Sequence, residues 1–131
     1  MAYQHQALDV KSAKEKTTAQ GEFKVKLLHE GDSKELVLTR VHFSQPYIYG
    51  SGDGYLLSIG CSTGLEAGHH EVGQNEGDYY SQLVVPNGNS KGFATEGEIY
   101  ITEATNDLLS GSFTLTYDDG YAAEGNFTVR P

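Results

Sequence analysis

The stretch from Gly97 to Val129 constrains the fold more than any other part of the chain. Gly97-Glu98-Ile99-Tyr100-Ile101-Thr102 alternates apolar and polar, and so does Ser110-Gly111-Ser112-Phe113-Thr114-Leu115-Thr116-Tyr117. Asp118-Asp119-Gly120 supplies turn chemistry and a residue open to positive φ, and Gly125-Asn126-Phe127-Thr128-Val129 alternates back. A period of two sends successive side chains to opposite faces of a strand. Three such segments separated by turn signals read as an antiparallel meander with one apolar face.

The same pattern runs upstream. Residues 22–30 set Phe23, Val25 and Leu27 against Lys24 and Lys26, and Gly31-Asp32-Ser33 turns the chain. Residues 34–43 return it as one strand, with Val37, Val41 and Phe43 on the core face and Leu36, Leu38, Arg40 and His42 on the other. Pro46-Tyr47-Ile48-Tyr49 reads as extended, Gly50-Ser51-Gly52-Asp53-Gly54 as a flexible turn, and residues 55–61 as a mostly apolar, central strand. Residues 64–77 are the least regular, with four glycines and room for one short strand around 69–72. Residues 79–85 and 93–102 are further strands, contributing Leu83, Val85, Ile99 and Ile101 to the expected core beside Leu57 and Ile59. Phe113, Leu115, Phe127 and Val129 complete it.

This spacing predicts an all-β chain: a single antiparallel β-sandwich or flattened β-barrel of seven to nine short strands. Residues 1–20 have only a thin apolar stripe around Leu8 and Val10, and read as an N-terminal arm or short helix ahead of a β-sandwich domain over 21–131. A chain of 131 residues is one domain by length, and at that size it needs no disulfide or metal to fold.

Charge is uneven. Residues 1–40 hold seven of the nine basic side chains against six acids, while residues 41–131 hold only Lys91 and Arg130 against twelve. A negative field of that size argues against nucleic acid and anionic membrane as partners, and toward a basic protein. Cys61 is the single cysteine and shares parity with Tyr55, Leu57 and Ile59, so it reads as a small buried hydrophobe. The start of the chain, Met1-Ala2-Tyr3-Gln4-His5-Gln6, is polar and shows no signal-peptide core. With one cysteine, this tilts localisation toward the cytoplasm without fixing it. Asn126-Phe127-Thr128 is a glycosylation sequon set mid-strand, and reads as chance.

No catalytic signature is legible: there is no nucleophile elbow, phosphate loop, zinc-protease helix or dinucleotide fingerprint. The chain reads as a non-enzyme that uses no cofactor. His69-His70-Glu71 is the densest run of metal-ligand types, but neighbours on a strand point opposite ways, so only His69 and Glu71 can share a face. No metal site is assigned there. The acidic turns lack calcium-loop spacing and are explained by turn chemistry.

Nine tyrosines and no tryptophan make tyrosine the conspicuous aromatic. Tyr47, Tyr49 and Tyr55 bracket a glycine-rich turn and Tyr80 follows another, while Tyr79 shares parity with Leu83 and Val85 and belongs to the core. A tyrosine offers a flat apolar face and a hydroxyl, which suits sugar stacking and protein interfaces alike. The candidate binding residues are Tyr47, Tyr49, Tyr55 and Tyr80 with the acids Glu66, Glu71, Glu76 and Asp78.

Gly97-Glu98-Ile99-Tyr100-Ile101-Thr102, Leu109-Ser110-Gly111-Ser112-Phe113-Thr114-Leu115, Gly120 and Gly125-Asn126-Phe127 together resemble the C-terminal strands of small uncharacterised bacterial β-sandwich domains. The resemblance covers about a quarter of the chain. It implies a sandwich fold and a bacterial origin, and no activity. Three roles are therefore expected: a binding protein whose acidic surface docks on a basic protein partner, in an inhibitor, immunity-type or accessory role; a carbohydrate or small-ligand module using exposed tyrosines and glycine-rich loops; or a structural subunit assembling through an edge strand.

Overall fold

The computed structural model describes residues 5, 7–8, 19–44, 46–86 and 90–131. Among them the chain forms twelve strands: β1 (Gln20–His29), β2 (Asp32–Leu38), β3 (Arg40–Ser44), β4 (Tyr47–Gly52), β5 (Tyr55–Cys61), β6 (Gly68–Glu71), β7 (Tyr79–Tyr80), β8 (Gln82–Val84), β9 (Ser90–Phe93), β10 (Glu96–Ala104), β11 (Leu109–Thr116) and β12 (Tyr121–Arg130). They build two antiparallel six-stranded sheets that do not close into a barrel, which is the sandwich the alternation predicts. The first sheet runs β2-β1-β12-β11-β10-β6, and the second runs β3-β4-β5-β8-β9 with β7 also paired to β5. No helix among the described residues is long and apolar enough to cross a membrane.

The strand count exceeds the expected seven to nine because predicted strands break. Residues 34–43 are not one strand: the chain leaves the first sheet after Leu38 and enters the second at Arg40. That corner shifts the inward parity by one. Leu36 and Leu38 are buried on one side of it and Val41 on the other, while Val37 is 56 % exposed. The expectation that Val37 is a core residue is thus corrected, since the alternation was carried unbroken through a corner that resets it. The run at 50–54 is corrected too, because Gly50, Ser51 and Gly52 belong to β4 and only Asp53 and Gly54 turn. Gly50 is there for packing: a Cβ at this position would lie 2.6 Å from Phe23 Cδ1.

Two hairpin turns use adjacent positive φ angles. Glu30 and Gly31 stand at 52° and 85°, Asp53 and Gly54 at 52° and 90°. Two-residue turns of this hand match the right-handed twist of the strands they join. The core lies between the sheets, where Phe23 stacks on Phe127 with ring centroids 5.4 Å apart and Phe113 stands 6.4 Å beyond. Each such side chain, taken fully out of water, contributes about 1.5–3 kcal/mol. A parallel bridge between Val72 and Tyr79 ties the end of β6 to β7, and a buried 2.6 Å hydrogen bond joins Ser81 to Tyr117. Cys61 is buried in this core, as its parity predicts, with its thiol 3.3 Å from the Gly77 carbonyl.

Two substitutions test this packing. Gly50→Ala should lower stability by about 1–3 kcal/mol, because the added methyl displaces the Phe23 ring. Glu30→Gly should leave stability unchanged or raise it by up to about 1–2 kcal/mol, by relieving a left-handed non-glycine residue. Urea midpoints of the two variants, moving in opposite directions or with only the first falling, would check both.

Candidate functional site

The two sheets present different outer faces. On the first sheet the registers align six strands into cross-strand rows. One row is Val37, Lys24, Asn126, Ser112, Tyr100 and His69. The next is Glu35, Lys26, Glu124, Thr114, Glu98 and Glu71. Residues directly opposite on antiparallel strands have neighbouring side chains, so these rows are contact rows.

Charge varies along them. The β2–β1 end mixes Lys24 and Lys26 with Glu35 and Glu124 and holds an open trough of about 570 Å³, lined also by Asn126, Ser112 and Thr114. Strands β11, β10 and β6 contain no lysine or arginine. There Glu71 and Glu98 stand directly opposite each other, and Glu96 shares their face two residues along β10. Like charges in that relation repel. The nearest basic group is the His69 imidazole, 3.4 Å from Glu98. Tyr100, 49 % exposed, stands among these acids.

The outer face of the second sheet is aromatic. His42, Tyr47 and Tyr49 form a stack, with centroids 4.8 Å apart for His42–Tyr49, 5.6 Å for His42–Tyr47 and 6.1 Å for the two tyrosines. Gly60 pairs with Tyr47 on one side and Tyr80 on the other. A Cβ there would lie 2.5 Å from the Tyr80 ring, so glycine lets that ring lie across β5. This face is not open. Tyr49, Leu56 and Val84 are buried as a second small cluster, with Leu8 and Tyr47 packed against it. The His5 ring stacks on Tyr80 at 4.5 Å.

The structure therefore brings Tyr47, Tyr49 and Tyr80 together and leaves Tyr55 apart. Tyr55 packs at the rim of the main core, with the Lys34 ammonium 5.5 Å from its ring. Of the four candidate acids only Glu71 lies on a sheet face. Glu66 and Glu76 are exposed on the segment that leads from β5 past β6 to β7, and the Asp78 carboxylate folds back on its own turn to accept the Asn75 N–H at 2.9 Å. The Glu66 backbone is engaged at both ends: its N–H donates to the Tyr79 hydroxyl and its carbonyl lies 2.8 Å from His70 Nε2. His70 also stacks on Tyr79 at 3.8 Å, on the opposite side of β6 from His69 and Glu71. Among the described residues no group of three His, Cys, Asp or Glu side chains is placed to hold a metal ion.

Sequence reasoning missed Glu96, Glu98 and Tyr100. Their alternation with Ile99 and Ile101 puts them on the solvent face and was legible. Their pairing with Glu71 and His69 was not, because it joins segments on either side of β7, β8 and β9 of the second sheet. Compared with protein-family models, with curated proteins and with solved structures, the chain matches none.

Three phenols sit in low-dielectric surroundings. Burial pushes Tyr49 above the ordinary 10.0, and Tyr47 adds to it. Burial also raises Tyr79, with the Glu66 N–H pulling back and Cys61 and Glu66 charge pushing up. Tyr117 is raised furthest by full burial, against the pull of its Ser81 hydrogen bond. A phenol harder to ionise folded than unfolded stabilises the fold fully below the unfolded value and loses that contribution as pH rises through the folded one. Spectrophotometric titration should therefore show phenol ionisation in more than one step. The last phenols should ionise only together with unfolding, above pH 10.0. A single reversible step for all tyrosines in a folded protein would contradict this burial.

Proposed function

We propose that the protein is a non-enzymatic binding domain that docks a basic segment of a protein partner on the β10–β6 end of the first sheet's outer face. The observation that carries the reading is the directly opposed pair Glu71–Glu98, exposed beside Glu96 with no lysine or arginine on β6, β10 or β11. Such a pair costs stability in the isolated domain, since like charges directly opposite are unfavourable. A lysine or arginine laid between the two carboxylates removes the repulsion and forms charge-assisted hydrogen bonds. Tyr100, half exposed beside them, supplies the apolar contact such an interface needs at its centre.

A second reading places a neutral glycan in the trough at the other end of the face. It is favoured by the lining, where two lysines balance two glutamates among Asn126, Ser112 and Thr114. A polyhydroxylated ligand uses donors and acceptors equally and needs no net charge. It displaces the carbohydrate expectation from the tyrosines around Gly60 to the opposite sheet.

Isotope-labelled protein titrated with a short Lys/Arg-rich peptide separates the readings. Shift changes should concentrate on β6 and β10 and fade as salt rises. Glu71→Gln with Glu98→Gln should weaken binding about tenfold, which is about 1.4 kcal/mol. The same double variant should gain about 0.2–1 kcal/mol of stability from losing the repulsion. Unchanged affinity in that variant, or shifts spread over every acidic loop, would sink the docking reading. Shifts in Lys24, Asn126 and Ser112 on adding neutral oligosaccharides would favour the glycan.

A further inference from the structure

Two side chains from the start of the chain, His5 and Leu8, are seated on the face around Gly60. His5 is buried against Tyr80 at 4.5 Å and 26°, with Phe93 at 5.6 Å, and its Nε2 lies 2.8 Å from the Gly73 carbonyl. Three residues on, the Leu8 side chain packs on the Tyr49, Leu56 and Val84 cluster and its N–H donates to Gln82 Oε1 at 2.9 Å. Gln82 is held in turn, its own N–H donating to Ser58 Oγ at 2.9 Å. Ser58 and Gln82 are both buried on this face.

We propose that the outer face of the second sheet is a peptide-docking groove, filled here by His5 and Leu8, and that it takes in trans a peptide carrying a flat ring three positions before an aliphatic side chain. The three recognised groups are a ring, a backbone N–H and an aliphatic side chain. None depends on belonging to the same chain as the groove. The groove is shaped for them: Gly60 lets the Tyr80 ring lie across β5 as a stacking platform, and Gln82 presents its amide oxygen to a backbone donor. Aromatic faces stack on rings, and an apolar patch of Tyr49, Leu56 and Val84 left bare would be unfavourable in water. A polar sheet face needs no such cover, and among the described residues the first sheet has none. The attached segment competes with any ligand in trans, because it is held near the groove by the chain. The site is therefore self-occupied, and a partner of this pattern binds by displacing the segment. This inference uses the opposite face from the acidic docking site and does not rest on it.

The test uses full-length protein and a synthetic peptide of residues 1–10. The His5→Ala/Leu8→Ala variant should bind this peptide saturably and at least about tenfold more tightly than wild type, a difference of about 1.4 kcal/mol. Resonances of Tyr49, Tyr80 and Gln82 should report it. The peptide carrying the same two substitutions should lose the binding. Absence of saturable binding to the variant, or equal affinity for variant and wild type, would overturn the proposal. If the double variant fails to fold, Leu8→Ala alone is titrated with the same peptide, and the same two outcomes decide.

Discussion

Everything in this molecule hangs on the pairing of β1 with β12. Ten residues of the first strand pair with ten of the last, from Gln20 opposite Arg130 to His29 opposite Tyr121. The pairing sets Phe23 against Phe127 inside the sandwich and Lys24 and Lys26 against Asn126 and Glu124 outside it. A slip of one residue would turn every one of these side chains to the other face. The β1–β12 register thus fixes at once the core stack and the rows of polar side chains that form the candidate site. It is also the costliest contact to make, since nearly the whole chain must be looped before it forms.

The two outer faces differ for a reason visible in composition. The strands of the first sheet alternate, save for a register shift between Ile101 and Glu103 in β10, and mostly serine, threonine, lysine and glutamate take the outward positions. A face of that kind is content in water. The second sheet contains β5, buried from Leu56 to Cys61, and β8, buried throughout. Strands that read as unbroken apolar runs are buried on both sides. One side of β5 and β8 meets the first sheet, and the other is met by Leu8. The two halves of the sandwich have been given opposite tasks by the same rule of burial, one facing solvent and one facing a further layer of chain.

Much of this was legible in the residues, and the failures have a common origin. Phe113, Leu115, Phe127 and Val129 lie in the core because alternation within a strand is a local property. His69 and Glu71 share a face, with His70 on the other, for the same reason. Val37 was misplaced because a corner between sheets leaves no mark stronger than Thr39 in the sequence. Gly50 was taken for flexibility when its role is to admit the Phe23 ring, and Gly60, read correctly as part of a strand, gave no sign that it admits the Tyr80 ring. The acidic rim and the His5–Leu8 contacts were invisible because they are made between distant segments; His5 reaches a carbonyl 68 residues away, and Leu8 an amide 74 away. Local periodicity specifies faces, and only the register between strands specifies neighbours.

That distinction also bears on what the net charge of −9 means. Read along the chain, the acids are a property of residues 41–131. Read on the folded surface, the outer face of the first sheet is balanced at the β2–β1 end, where Lys24 and Lys26 meet Glu35 and Glu124, and acidic at the β10–β6 end, where the His69 imidazole stands beside Glu98 and no lysine or arginine lies on β6, β10 or β11. A face with such a gradient orients as well as attracts. A partner bearing a basic segment is drawn to the Glu71–Glu98 end and is repelled by the lysines if it arrives turned about, and fields of this kind act on encounter before contact is made. The four lysines of β1, β2 and β9 among the described strands are too few to offset the acids in total. Two of them, Lys24 and Lys26, stand together on the outer face of β1, which is where they give the face its direction, while Lys34 has the parity of the buried Leu36 and Leu38 and reaches over Tyr55.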